Sequence, residues 1–349
     1  MAASLFLHDQ HKKLGATFEE HFGVLLPRFY VEQAKEYEEL HHGAAFVDLS
    51  FRGRFELRGE KARLLLNNLT STKLPEKGGC HVSFLNRMGR MIADAFLYCL
   101  AEDAYLLDVA PHAAADVFTY LQPQAQLVRC TLRDASSTHG LLSFNGELAE
   151  ETVARFLGAE LPQHDFEIAV VPYGNHTLLM ARRKAAGRIS YDLYIPLEGM
   201  KPAWQDLLDQ GILPAGYEAF NAVRIETGWP WFGLDFDAAH LPLECGLDST
   251  VSYDKGCYIG QEIMARMDSR NAAVPKRLMK LTTPAKPSPR AVLFKDGKRV
   301  GGLTDSVIFS PKYNQTVAFG FLQKDAYTEG TDVETEAKDR LMVRALQSE

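Results

Sequence analysis

The apolar residues of this sequence follow two spacing rules, and the change between them near Val274 constrains the fold more than any other feature. Upstream, short helical and strand periodicities alternate. Residues 54–57 alternate as a strand, 60–69 carry apolar side chains at helical spacing, and 91–100 with 104–110 read as two strands about an acidic turn. Residues 113–121 read as helix, 127–132 and 140–144 as extended, and 148–157 as helix, a grammar that continues to about Thr227. Downstream, short β-rich runs at 278–281, 291–294 and 317–322 are separated by turn residues, with Asp296-Gly297 where a tight hairpin needs it. The spaced prolines of 283–289 predict a stiff loop, and 341–346 can supply a last strand. The pattern predicts an α+β, multi-domain chain with a small all-β module at its C-terminal end.

A chain of 349 residues exceeds what one hydrophobic core usually organises. Its 46% hydrophobic and 24% charged residues supply full cores and argue against disorder. The formal net charge of −7 argues against direct nucleic-acid binding through bulk charge. The first residues lack a basic leader, and no run of 18 apolar residues occurs, so the expected location is cytoplasmic, with no membrane partner. Five cysteines, without any Cys-x-x-Cys pair, are expected as free thiols, and no metal site is expected; His41-His42 lacks a third ligand.

The stretch with most chemistry is Lys255-Gly256-Cys257-Tyr258-Ile259-Gly260-Gln261-Glu262, in which Gln261 opens a predicted helix over 261–267. Lys255 and the positive end of that helix would favour a thiolate at Cys257, a nucleophile, redox sensor or metal ligand. The plainer alternative is a small buried hydrophobe ahead of a helix. Trp229, Trp231 and Phe232 form an aromatic cluster able to stack on a planar ligand or to fill a core. Arg182-Arg183-Lys184 reads as a solvated loop that could also meet a tail carboxylate or an RNA phosphate.

The octapeptide resembles the Lys-Gly-Cys-(Tyr/Phe)-x-Gly-Gln-Glu motif of the YgfZ-type branch of the glycine-cleavage T-protein (GcvT) superfamily. Three further runs, in order, are similar to the superfamily's: Gly43-Ala44-Ala45-Phe46-Val47-Asp48, Arg224-Ile225-Glu226-Thr227-Gly228-Trp229-Pro230, and Pro242-Leu243-Glu244-Cys245-Gly246-Leu247. The resemblance implies a GcvT-like ring, with residues 1–270 as a folate-binding region of two α+β subdomains and 271–349 as a C-terminal β-barrel-like domain. It also implies tetrahydrofolate or a one-carbon derivative at the centre, its pterin met by acidic side chains. Carried over residue by residue, Asp94, Asp192 and Arg224 fall on the family's pocket positions, with Asn86 and Ser83 as weaker candidates near the folate side and Trp229, from the aromatic cluster, able to stack on the pterin.

Four departures argue against aminomethyl transfer: Ala93 in place of one acid, His81 and Phe232 in place of tyrosines, and Asp192 in place of a glutamate. The reading this favours is a tetrahydrofolate-binding protein that supports iron–sulfur cluster assembly or repair, and Fe–S-dependent tRNA modification, through a reactive Cys257 assisted by Lys255. Its expected partners are reduced folate and Fe–S assembly or client proteins. Two alternatives stand beside it: a folate-dependent aminomethyltransferase, and a non-enzymatic Fe–S assembly scaffold. The sequence leaves open whether the chain turns over.

Overall fold

The structure, a computed structural model, describes residues 2–30, 32–269 and 273–347. Two five-stranded antiparallel sheets carry the larger part. One runs Ile168–Tyr173, His176–Ala185, Arg188–Pro196, His139–Asn145, Ala45–Asp48 in spatial order. The other runs Gly78–Leu85, Met91–Ala101, Ala104–Val109, Gly53–Arg58, Thr131–Asp134. All strands of the second sheet come from chain lying between two neighbouring strands of the first, so the second unit is an insertion into the first.

Strand alternation decides what each sheet buries. In the second sheet Val82, Phe84, Ala93, Ala95 and Leu97 pack under the helices Ala62–Leu69 and Ala114–Leu127. The residues between them, His81, Ser83, Asp94, Phe96 and Tyr98, therefore share the opposite face. In the first sheet Leu142, Phe144, Met180, Leu193 and Ile195 pack under Ala149–Leu157 and Leu197–Asp209. Its other face carries Leu141, Ala181, Arg183, Asp192 and Tyr194. These two remaining faces meet, with Phe96, Tyr98, Leu106, Leu141, Ala181 and Tyr194 in one apolar cluster. A polar side chain on either inner face thus lies at a junction rather than in solvent.

The third part is a closed six-stranded barrel within residues 276–344, in the order Lys276–Thr283, Gln315–Gln323, Lys298–Ser310, Val292–Lys295, Asp332–Thr335, Arg340–Arg344. Asp296 and Gly297 have φ of 50° and 75°, the left-handed pair that a two-residue hairpin between Lys295 and Lys298 requires. The helix Tyr217–Thr227 is buried on most of its surface and bonds the barrel: Lys280 Nζ donates to Glu226 O at 2.8 Å. The expected boundary between residues 270 and 271 lies outside the described residues. The extended segment expected over 127–132 is replaced by a helix that reaches Leu127 and a strand only at Thr131–Asp134, because Val117, Leu121 and Ala125 prolong the helix's buried stripe.

Candidate active site at the centre of the ring

Where the two sheets and the segment after Tyr217–Thr227 come together lies a cavity of about 340 Å³, lined among others by Thr72, His81, Phe166, Lys184, Trp229 and Ser249. Gly228 ends the helix with φ 81°, and a Cβ there would fall 1.8 Å from Leu346 O, so only glycine lets the chain turn and aim Trp229 at the cavity. Trp229 stands edge-on to Trp231, centroids 5.5 Å apart.

Asp94 and Phe96 project from one face of Met91–Ala101, two residues apart. His81 bridges them: its ring lies 4.7 Å from that of Phe96, and its Nε2 is 2.7 Å from Asp94 Oδ2. Asp94 Oδ1 is buried and has no hydrogen-bond partner among the described residues. A buried carboxylate oxygen left bare is costly, and it marks a place where a donor from outside the chain would be favoured.

The other carried-over residues are placed differently. Asp192 is fully buried; Oδ1 accepts from the Ser143 hydroxyl at 2.6 Å, and both oxygens face Arg183. Arg224 is also fully buried, donating to Asp235, to the Trp229 carbonyl and to the Ser306 hydroxyl of the barrel. Like Asp94, which reaches the cavity only through His81, neither side chain is among those lining it. Asn86 sits in the turn after Gly78–Leu85, its Oδ1 accepting from the amides of Met88 and Arg90. It lies against Gly260, since a Cβ there would fall 2.8 Å from Asn86 O, and so belongs to the surroundings of the octapeptide.

Within the octapeptide, Lys255 does not serve Cys257 as the sequence suggested. Its Nζ donates to the carbonyls of Asn67, Thr70 and Thr72 at 2.9, 2.8 and 2.7 Å, tying the loop to the end of Ala62–Leu69. Three acceptors use all three ammonium protons. Burial pushes the Lys255 pKa down to about 8. Cys257 is exposed and is not among the cavity's lining residues; the thiol there is Cys80, which burial pushes up to about 12.

Sequence reading missed Arg183, taken as part of a solvated run. Arg182 and Lys184 lie on the opposite face of the strand, both pairing with Asp165, Lys184 at 3.0 Å. Arg183 points inward, its guanidinium carbon 4.4 Å from the Trp229 ring centroid and 5.2 Å from that of Phe96. Burial opposes its charge and Asp192 outweighs that, holding its pKa above the ordinary value. The signal was present: alternation along His176–Ala185 puts Arg183 on the same face as Ala181. His41, discounted as a ligand, bonds Glu226 with Nε2–Oε2 of 2.9 Å.

Fold and cavity together define a three-part α+β ring, closed by a barrel, around a cavity whose wall includes His81, Phe166 and Trp229. The chain belongs to the family described as the GCVT N-terminal domain, whose model matches residues 7–255. An aminomethyltransferase of Halothermothrix orenii is 25% identical, across 96% of this chain and 95% of that protein. One from Lysinibacillus sphaericus is 26% identical, across 96% and 93%. The crystal structure of the glycine cleavage system aminomethyltransferase T from Bartonella henselae superposes with a TM-score of 0.89 over 99% of this chain and 97% of that one, at 21% identity, which establishes the fold.

These findings correct the functional reading favoured by the sequence. Relatives matching nearly end to end are aminomethyltransferases, so the iron–sulfur role resting on Cys257 gives way to its alternative. The physical reason for the misreading is that no octapeptide residue lines the cavity, which Lys255 meets only through its bond to the Thr72 carbonyl, whereas the departures thought to disable it leave at Asp94 an acceptor without a partner among the described residues. No described helix is long and apolar enough to cross a membrane.

Proposed function

We propose that this protein is a folate-dependent aminomethyltransferase that holds tetrahydrofolate, or a one-carbon derivative, in the central cavity. The observation that carries this reading is Asp94: a buried carboxylate with one oxygen fixed by His81 and the other without a partner among the described residues. A pterin offers ring N–H and amino donors, and a carboxylate accepts them as charge-assisted hydrogen bonds.

The residues present fit such a group. Of the lining residues, Trp229 offers a flat apolar face and Lys184, which also pairs with Asp165, a cation for a tail carboxylate; Asp94, bonded to the lining residue His81, offers an acceptor. Reduced folate, when bound, supplies nitrogens that take up the one-carbon unit. The chain's own residues bind and orient: Asp94 accepts, His81 fixes the Asp94 carboxylate, and Arg183 supports Trp229. Asp192 and Arg224 hold the wall from behind. The octapeptide 255–262 still resembles that of the YgfZ-type branch, and on this reading Cys257 is a surface marker of that branch with no part in the transfer.

Two measurements on the purified chain test the proposal: anaerobic calorimetric titration with tetrahydrofolate, and formation of methylenetetrahydrofolate from an aminomethylated dithiol donor. Saturable binding with turnover is expected. Absence of binding by the folded protein would overturn the reading.

A further inference from the structure

The two inner sheet faces part at one end of their contact. A second cavity, of about 510 Å³, opens there between Leu100 and Leu106 on one sheet and Val170, Leu179 and Tyr194 on the other, with segment 133–139 along its side. It shares no lining residue with the central cavity. Val170, on its wall, is 67% exposed although it belongs to a strand. Apolar side chains facing one another across open space are the usual lining of a small-molecule site.

Arg54 lies in the wall of this cavity and is 1% exposed. Asp108 stands directly opposite in the strand pair, but its two oxygens accept from Arg52 Nε and from the Tyr194 hydroxyl. The Arg54 terminal nitrogens donate to the carbonyls of Arg52, Ser50 and Ser136, which satisfy protons without supplying a counter-charge. Among the described residues no carboxylate comes within ion-pair distance of Arg54, and its Nε is buried without an acceptor. The acids beside it are engaged elsewhere: Glu56 pairs with Arg58, and Asp134 accepts the Ser136 amide. Burial pushes the Arg54 pKa below its ordinary value. A buried cation without a partner is among the least favourable arrangements in a protein interior, and an added carboxylate relieves it.

We propose that this wedge is a binding site for a small amphipathic carboxylate, with its acid group on Arg54 and its hydrocarbon body between Leu100, Leu106, Val170 and Leu179. A guanidinium edge suits a planar monoanion.

The test uses the full chain and octanoate as probe, followed by calorimetry, with octylamine as the head-group control. Saturable binding of octanoate and much weaker binding of octylamine are expected. Arg54→Met should weaken octanoate at least about tenfold, the usual size of one hydrogen bond to a charged group. Because Arg54 also ties three carbonyls, that variant can fail to fold, and Leu179→Trp is the second arm. It fills the wedge from the opposite sheet, and should abolish octanoate binding while leaving tetrahydrofolate binding at the centre unchanged. No saturable octanoate binding, equal affinity for octylamine, or unchanged octanoate affinity in Leu179→Trp would each overturn the proposal.

Discussion

Arg183 and Asp192 occupy neighbouring strands of one sheet and close on each other. Arg183 Nη2 lies 3.2 Å from Asp192 Oδ1, Nε bonds the other oxygen, and the side chains are 3% and 0% exposed. The guanidinium so held is the surface on which the Trp229 ring rests, 4.4 Å away. Asp192 therefore acts on the central cavity through Arg183 and Trp229, and its effect on a ligand is one of positioning.

Removing the carboxylate with Asp192→Ala leaves a buried guanidinium unpaired. Breaking one side of such a pair costs on the order of 3–5 kcal/mol, so urea denaturation should show a loss of that size. Trp229 should also change its fluorescence as its support shifts. A fully stable variant that had merely lost folate affinity would instead place Asp192 in direct contact with the ligand.

Arg224 makes a comparable prediction with a different outcome for binding. It joins Asp235, the Trp229 carbonyl and Ser306, so Arg224→Met removes one of the bonds between the barrel and the helix Tyr217–Thr227 and leaves a buried aspartate without its counter-charge. A loss of about 3–5 kcal/mol is expected in urea melts. A loss below about 1 kcal/mol, the size of an exposed pair, would contradict this structural role.

Much of this architecture could be read from residue spacing. The strands Met91–Ala101 and Ala104–Val109 and the helices Ala62–Leu69 and Ala149–Leu157 follow apolar period, because each packs one face against a core while the other face differs in character. The strand Lys298–Ser310 could not be read that way: a shift of register between Leu303 and Val307 breaks its alternation, and Gly301 and Gly302 contribute no side chain to the pattern. At the site, Asp94 was reachable from motif resemblance. Arg183 was hidden because the chain places it between two other charges, Arg182 and Lys184, and only the pairing of two sheets shows that its face is interior. The octapeptide misled for the converse reason. Its chemistry looked active in isolation, and that Cys257 does not line the cavity is a tertiary fact.

Cys257 is exposed, whereas Cys130 and Cys245 are buried and Cys80 and Cys99 half-buried. The first thiol to react with a disulfide reagent in the native protein should be Cys257, and Cys257→Ser should remove that fast phase. Tetrahydrofolate affinity and transfer in Cys257→Ser should equal those of the parent. A large loss of transfer in this variant would return the cysteine to the chemistry.

Lys255 predicts a pH dependence. Its pKa is about 8 in the folded chain against 10.5 when unperturbed, because burial disfavours the ammonium. Between those values the unfolded chain binds the extra proton, so this group's contribution makes stability rise with pH across that window. Denaturation midpoints of the parent, measured relative to Lys255→Met from about pH 7 to 10.5, should climb as pH increases. A flat difference would show that the three carbonyls hold the ammonium charged throughout.

The sharpest test of the central cavity is Asp94→Asn. The substitution keeps the shape of the side chain and a partner for His81, but removes the charge and can turn an amide N–H towards the donors of a pterin. Since Asp94 Oδ1 has no partner among the described residues, folding should lose little, within about 1 kcal/mol, the scale of a single intramolecular hydrogen bond. Tetrahydrofolate affinity should fall by about 1.5–3 kcal/mol, roughly ten- to a hundredfold, the range for a hydrogen bond to a charged group. The double variant with His81→Phe should lose little more than Asp94→Asn alone, because His81 acts through the same carboxylate. Full additivity of the two losses would show that His81 meets the ligand by itself, and unchanged affinity in Asp94→Asn would remove the carboxylate from the folate site.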